Sequence, residues 1–126
     1  MTGHMAYSIP HQRALSVEET ALLRFLLDRE APNRVAELEA LKVVARCGCG
    51  KCPTILLGDA ASAEPVTSGP MTEVASYRGR NAEGVTVGVV LIDRNGKLTE
   101  LEAWSPEGND ISSWPPVVAL ERFAWK

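Results

Sequence analysis

The stretch VTVGVVLIDRNGKLTELEA, residues 85–103, carries the clearest structural pattern in the chain and decides its fold class. Valine or leucine recurs at every second position across residues 85–91, as on one face of a β-strand. Leu101 and Ala103 resume this spacing after the turn-forming pair Asn95-Gly96. The stretch therefore predicts an antiparallel β-hairpin with one apolar face.

The position of the charged residues suggests how the two strands of this hairpin are paired. A three-residue loop of residues 94–96 would place Val89 opposite Leu101. A two-residue loop in a regular ladder would instead oppose Val89 to Glu102 and force a carboxylate toward the apolar face. We therefore predict the three-residue loop, with Glu100 and Glu102 on an outward face that is half apolar and half charged.

The N-terminal part of the chain predicts a helix. Ser16-Val17-Glu18-Glu19 is a capping box, in which the Ser16 hydroxyl accepts a hydrogen bond from the Glu19 amide and the Glu19 carboxylate accepts one from the Ser16 amide. Leucines at i and i+4 follow in residues 22–27, and Pro32 ends the pattern. Residues 33–40 favour a short second helix or turn.

The remaining segments complete an α+β pattern. Residues 42–45, 54–57 and 72–78 predict strands, the first two joined by a glycine- and cysteine-rich connection. Residues 114–123 begin with prolines and then show helical apolar spacing, which favours a short C-terminal helix. We therefore predict an α+β fold: a mainly antiparallel sheet of about five strands, with the N-terminal helix and the short C-terminal helix packed on one face.

Length and composition fit one domain. The chain has 126 residues, of which 45% are hydrophobic, and this is enough to bury a core without a disulfide or metal. Met1-Thr2-Gly3-His4-Met5 ends in a second methionine and is interpreted as a cloning remnant. Residues 6–126 are therefore expected to form a single α+β domain.

Charge and hydropathy narrow the classes of partner. A net charge of −3 without a basic stripe argues against nucleic acid, and no apolar run approaches the roughly 20 residues that cross a bilayer. All three cysteines lie within residues 47–52, which suits a reducing compartment better than a disulfide framework, so we expect a cytoplasmic protein. A protein partner, or a homodimer formed through the half-apolar hairpin face, is the expected interaction.

The segment Cys47-Gly48-Cys49-Gly50-Lys51-Cys52-Pro53 is the one unusual motif, and three interpretations of it remain open. Three thiolates at this spacing could surround a tetrahedral zinc ion, although no fourth ligand is obvious and His11 lies across the first helix in sequence. Cys49 and Cys52 also have the spacing of thiol-disulfide oxidoreductases, but the residues that follow favour a strand and not a helix N-terminus. In the third interpretation, which we prefer, the glycines shape a turn and the small thiols pack beneath the hairpin.

The sequence predicts no catalytic residues. The acidic pairs Glu18/Glu19, Glu37/Glu39 and Glu100/Glu102 are explained by a helix start, a solvated helix face and the outward side of the hairpin. No nucleophile elbow and no phosphate-binding glycine loop occurs. The leading hypothesis is therefore a small non-enzymatic binding or interaction domain, and the alternative is a zinc-binding or thiol-redox protein that uses Cys47, Cys49 and Cys52.

Short motifs along the chain resemble a group of small uncharacterised bacterial proteins. They are Leu-Ser-Val-Glu-Glu near the start, Cys47-Gly48-Cys49-Gly50 with Cys52-Pro53-Thr54-Ile55, Leu98-Thr99-Glu100-Leu101-Glu102, and a proline near the end. The resemblance covers most of residues 15–120, and Lys51 interrupts the tighter Cys-Gly-Cys-Gly-Cys form of the group. It implies no activity.

Overall fold

The structure is a computed structural model that describes residues 8–49, 51–59 and 64–123. The segment Met1-Thr2-Gly3-His4-Met5, interpreted above as a cloning remnant, lies outside the described residues. The described part is α+β with one antiparallel sheet, which confirms the predicted class, but it has seven strands where about five were predicted. The strands are β1 (Ser8–Ala14), β2 (Lys42–Cys47), β3 (Ile55–Gly58), β4 (Met71–Arg80), β5 (Thr86–Arg94), β6 (Lys97–Trp104) and β7 (Glu121–Arg122).

The sheet consists of two antiparallel units joined side by side. Its strand order is β1-β2-β3-β6-β5-β4-β7, so strands 1 to 3 form one unit and strands 4 to 7 the other. The units meet where β3 pairs with β6, at Ile55 opposite Leu101 and Leu56 opposite Glu100. The long connection from β3 to β4 therefore leads to a second unit that is added at the β3 edge of the first.

Helix α1 (Val17–Glu30) packs on one face of the sheet and begins where the sequence predicts. The capping box is formed: the Glu19 amide donates to Ser16 Oγ at 3.0 Å, and the Ser16 amide donates to Glu19 Oε1 at 2.8 Å. The helix ends before Pro32, which opens a 3₁₀ helix, Pro32–Ala40. The residues by which α1 covers the apolar face of the sheet are Leu22, Leu23, Leu26 and Leu27, none more than 1% exposed.

Both ends of the described chain differ from the prediction. β1 was not predicted, because its residues show no alternation of apolar and polar side chains; it is held instead by its backbone pairing with β2. The predicted C-terminal helix is wrong: the segment forms a single 3₁₀ turn, Val117–Ala119, followed by β7. Two residues of β7 pair with β4, and the Phe123 amide donates to the Ser76 carbonyl at 2.9 Å, so the backbone is satisfied by the sheet.

The predicted register of the β5–β6 hairpin is also wrong. Its loop is the two-residue Asn95-Gly96, in which both residues have positive φ values of 56° and 82°, as in a type I′ turn. The ladder then shifts between Ile92 and Asp93, which leaves Thr99 as the extra residue of a β-bulge. As a result Val89 lies opposite Ala103, and the apolar face stays free of carboxylates without a three-residue loop.

Arg34 fastens the 3₁₀ helix Pro32–Ala40 to this hairpin. Its guanidinium lies 2.7 Å from Asp93 Oδ2 and 2.7 Å from Glu37 Oε2, and donates to the Gly96 carbonyl at 3.0 Å. Asp93 is 8% exposed, and its other oxygen accepts from the Gly96 amide at 3.0 Å. Arg34 therefore compensates a buried carboxylate that also holds the turn.

We expect Arg34→Met to lower the free energy of unfolding by about 2 kcal/mol at pH 7, because it leaves the Asp93 carboxylate buried without its cation. Urea denaturation measures this value. Arg24→Met, which removes an exposed arginine of α1, is the matched control and should change it by less than about 0.5 kcal/mol. Equal stability of the two variants would show that the contact between Arg34 and Asp93 contributes nothing.

Candidate metal centre

The three cysteines lie at the connection between β2 and β3, as the sequence predicts. Cys47 is the last residue of β2, and its amide donates to the Thr54 carbonyl at 3.3 Å, so the base of the connection is fixed by the ladder. The Sγ atoms of Cys47, Cys49 and Cys52 all lie within 4.8 Å of one another. None of the three forms a disulfide. We call these three side chains the thiol cluster.

Backbone amides point at two of the sulfur atoms. Cys49 Sγ accepts from the amides of Lys51 at 3.4 Å and Cys52 at 3.3 Å, and Cys47 Sγ accepts from the Cys49 amide at 3.5 Å. An N–H group that donates to sulfur stabilises the thiolate over the thiol, and such bonds commonly support thiolate ligands of metals. Backbone amides of the connection thus donate hydrogen bonds to the sulfur atoms of its own cysteines.

The thiols of Cys47 and Cys49 differ in acidity. Burial raises the pKa of Cys47 to about 12; the Cys49 amide acts in the opposite direction, and the neighbouring thiols of Cys49 and Cys52 also raise this pKa. Burial also opposes ionisation of Cys49, but the Cys52 and Lys51 amides and the adjacent thiols outweigh it and lower the pKa of Cys49 to about 7. Cys49 is therefore the thiolate that the connection favours near neutral pH.

The two other interpretations of the cysteine motif meet this geometry differently. Cys47 is buried, as the packing interpretation predicts, but Cys49 is exposed and Cys52 half-buried. The residues after Cys52 run into strand β3, so Cys49 does not stand at the start of a helix as it does in thiol-disulfide oxidoreductases. Of the three interpretations, only a metal site would use all three sulfur atoms together, as ligands.

A groove of about 400 Å³ lies beside the thiol cluster, and Cys52 is the cluster residue that lines it. His11 also lines the groove, although the sequence placed it far away across the first helix. Because β1 pairs with β2, with Ile9 opposite Arg46, His11 and Arg46 lie on neighbouring strands. Among the described residues, the group that could hold a metal consists of the three cysteines without His11. The remaining residues of the groove are Arg13, Glu18, Glu19, Arg46, Lys51, Pro53, Thr54, Ile55, Ser112, Ser113 and Trp114.

The acidic pairs have the predicted explanations except for the last. Glu19 caps α1, and Glu37 pairs with Arg34. Glu100 and Glu102 were expected on a solvated outward side, but they are 2% and 0% exposed. Burial raises the pKa of Glu100 to about 7 and that of Glu102 to about 8.

The sheet face that carries Glu100 and Glu102, opposite the face covered by α1, is therefore buried as well. Its burial was the main feature that sequence reasoning missed. Glu100 lies between Leu56 and Ile92 across the sheet, and Glu102 lies opposite Val90, all of them buried. The apolar residues that alternate with the core-facing ones on β5 were the available signal. A homodimer through this face, as expected from the sequence, would require side chains that the single chain already buries.

Comparison with protein-family models, curated proteins and solved structures gives no match. Within the described ranges, no helix combines the length and apolar character needed to span a membrane.

Proposed function

We propose that the protein is a small binding domain that holds a zinc ion with the thiolates of Cys47, Cys49 and Cys52. The observation that supports this proposal is the convergence of the three sulfur atoms within 4.8 Å. Zinc binds thiolate sulfur at about 2.3 Å with tetrahedral angles, so ligand sulfurs in such a site lie about 3.8 Å apart. Small side-chain rotations would bring the cluster to that spacing.

The chemistry of the donors favours a thiophilic metal. Thiolates select zinc, copper(I) and iron–sulfur clusters over magnesium or calcium, which prefer oxygen ligands. The amide donors at Cys47 and Cys49 stabilise the deprotonated sulfurs that a metal requires. Cys49 and Cys52, separated by two residues, also have the spacing that cysteine ligands of zinc commonly show.

A metal in this position would bind to a domain that is already folded. The core of leucine, valine and isoleucine side chains lies on the sheet face below α1 and does not include the thiol cluster. We therefore propose a site for binding and not a site on which folding depends, in keeping with a non-enzymatic domain.

Metal content and thiol reactivity test the proposal together. Untagged protein purified without chelator should carry about one zinc per chain, and its thiols should react slowly with a thiol reagent until a chelator is added. Circular dichroism should show that the chelated protein keeps its strand content. A protein that takes up no zinc, and whose three thiols titrate freely under native conditions, would refute the proposal.

A further inference from the structure

The thiols of the cluster differ in their access to solvent. Cys49 is exposed and Cys52 is half-buried, whereas Cys47, at the end of β2, is only 2% exposed. Oxidation of a cysteine depends on its exposure, because the oxidant must reach the sulfur from solvent. A water-soluble oxidant therefore meets Cys49 first.

The backbone holds Cys52 beside Cys49. The Cys52 amide donates to Cys49 Sγ at 3.3 Å, and the sulfur atoms of the two residues lie within 4.8 Å of each other. Two cysteines separated by two residues also have the spacing of pairs that interconvert between dithiol and disulfide. Side-chain rotation would bring these two sulfurs into contact, whereas the Cys47 sulfur would first have to leave its buried position.

We infer that a peroxide converts Cys49 and Cys52 to a disulfide and thereby releases the proposed zinc, so that the site holds metal only while its thiols are reduced. The disulfide rests on the geometry and exposure of these two cysteines. The release of metal rests, in addition, on the proposed function.

The oxidation takes two steps, with hydrogen peroxide as the oxidant. The Cys49 thiolate attacks one oxygen of the peroxide; an S–O bond forms, the O–O bond breaks and hydroxide leaves, so that Cys49 becomes a sulfenic acid. The Cys52 thiolate then attacks the Cys49 sulfur; an S–S bond forms, the S–O bond breaks and a second hydroxide leaves. The two thiolates lose two electrons in total, and these electrons reduce the peroxide to two hydroxide ions.

The disulfide removes two of the three zinc ligands. A sulfur in a disulfide has no thiolate charge, so Cys47 alone would remain to hold the ion. Exposed disulfides are the more easily reduced ones, and a thiol reductant should therefore restore the site. The fold should survive the cycle, because the core on the sheet face below α1 does not include the thiol cluster.

Hydrogen peroxide added to the zinc-loaded chain tests the inference with two readouts. A colorimetric indicator measures released zinc, and peptide mapping without reductant identifies the linked cysteines. We expect release of about one zinc per chain, a disulfide between Cys49 and Cys52, and a free thiol at Cys47. Dithiothreitol followed by fresh zinc should restore the loaded protein. The metal-free chain should form the same disulfide faster, because zinc binds the thiolates that the peroxide oxidises.

Two serine variants, oxidised without metal, assign the roles of the cysteines. Cys52→Ser should stop at the sulfenic acid of Cys49, which dimedone traps, because the second attacking thiolate is missing. Cys47→Ser removes the third thiol of the cluster and is the matched control, which should still form the disulfide between Cys49 and Cys52.

The outcomes distinguish this inference from the proposed function. If the chain binds no zinc, the proposed zinc centre fails, and the release of metal fails with it. If zinc binds but stays bound at a peroxide concentration that fully oxidises the metal-free chain, the inference alone is overturned. A disulfide that includes Cys47, or an equal yield of disulfide from Cys52→Ser and Cys47→Ser, also overturns it.

Discussion

At pH 9 the Glu100→Gln variant is expected to exceed the wild type in free energy of unfolding by about 3 kcal/mol, and at pH 4 the two should be nearly equal. The reason is burial: it raises the pKa of Glu100 from an ordinary value of 4.5 to about 7. Oε2 of this carboxyl has no hydrogen-bond partner among the described residues. Glutamine keeps the shape of the neutral acid and never acquires its charge.

The direction of the effect follows from proton binding. The folded state holds a proton on Glu100 up to a pH of about 7, whereas the unfolded chain releases it near 4.5. The contribution of this group to stability is therefore complete below pH 4.5 and is lost as the pH rises through 7. Glu102, whose pKa burial raises to about 8, extends the same loss to a higher pH.

Urea denaturation at pH 4, 7 and 9 measures the prediction. Glu102→Gln should also gain stability relative to wild type as the pH rises above about 4.5, and its gain should level off near pH 8, one unit above that of Glu100→Gln. Glu39→Gln, which alters an exposed carboxylate of the 3₁₀ helix Pro32–Ala40, is the control for a change of charge alone. A stability difference between Glu100→Gln and the wild type that does not grow from pH 4 to pH 9 would contradict burial of this carboxyl in its neutral form.

Cys49→Ser is expected to reduce zinc affinity by more than about 100-fold, since loss of a supporting contact to a ligand alone costs 10- to 100-fold. Cys47→Ser and Cys52→Ser should each cause a loss of similar size, because the proposed centre uses the three sulfurs equally. Competition with a zinc chelator of known affinity measures each variant. Zinc at 1,000 times its dissociation constant should raise wild-type stability by about 4 kcal/mol and should not do so for the variants.

The cysteine series also separates the three interpretations of the motif. If the thiols only pack, Cys47→Ser alone should lower stability, because it is the buried one, and zinc should have no effect on any variant. If Cys49 and Cys52 alone were the functional pair, Cys47→Ser should keep the wild-type behaviour. Circular dichroism of each variant shows whether the fold persists.

Local patterns in the sequence predicted those parts of the fold that local interactions determine. The capping box at Ser16 and the proline at residue 32 set the limits of α1, because they act within a few residues of the helix ends. β1 and β7 could not be predicted in this way. Each is defined by hydrogen bonds to a distant strand, and neither has an alternating pattern of its own.

The hairpin register failed for a related reason. The prediction assumed a regular ladder, in which the Asn95-Gly96 turn would bring Glu102 to the apolar face. A single extra residue, Thr99, reverses the faces of all residues after it and makes the preferred turn compatible with the core. Nothing in the local composition around Thr99 indicates a bulge. The Asn95-Gly96 pair, which is typical of a two-residue hairpin turn, predicted the loop better than the pairing of the charged residues did.

The candidate site was predictable in its residues but not in its surroundings. The spacing of Cys47, Cys49 and Cys52 in a connection between strands indicated that their sulfurs could meet. The groove could not be anticipated, because it requires the pairing of β1 with β2 to bring His11 near Arg46.

The junction between the two units of the sheet is narrow. β3 has four residues, of which two pair with β6 among those described, and the Thr54 hydroxyl adds hydrogen bonds to Ala103. Glu100 lies in this junction opposite Leu56. When its carboxyl ionises at alkaline pH, the charge is therefore buried between β3 and β6, where the two units of the sheet would separate. The amide hydrogens of β3 are therefore the ones whose exchange with solvent should accelerate first when that carboxyl ionises.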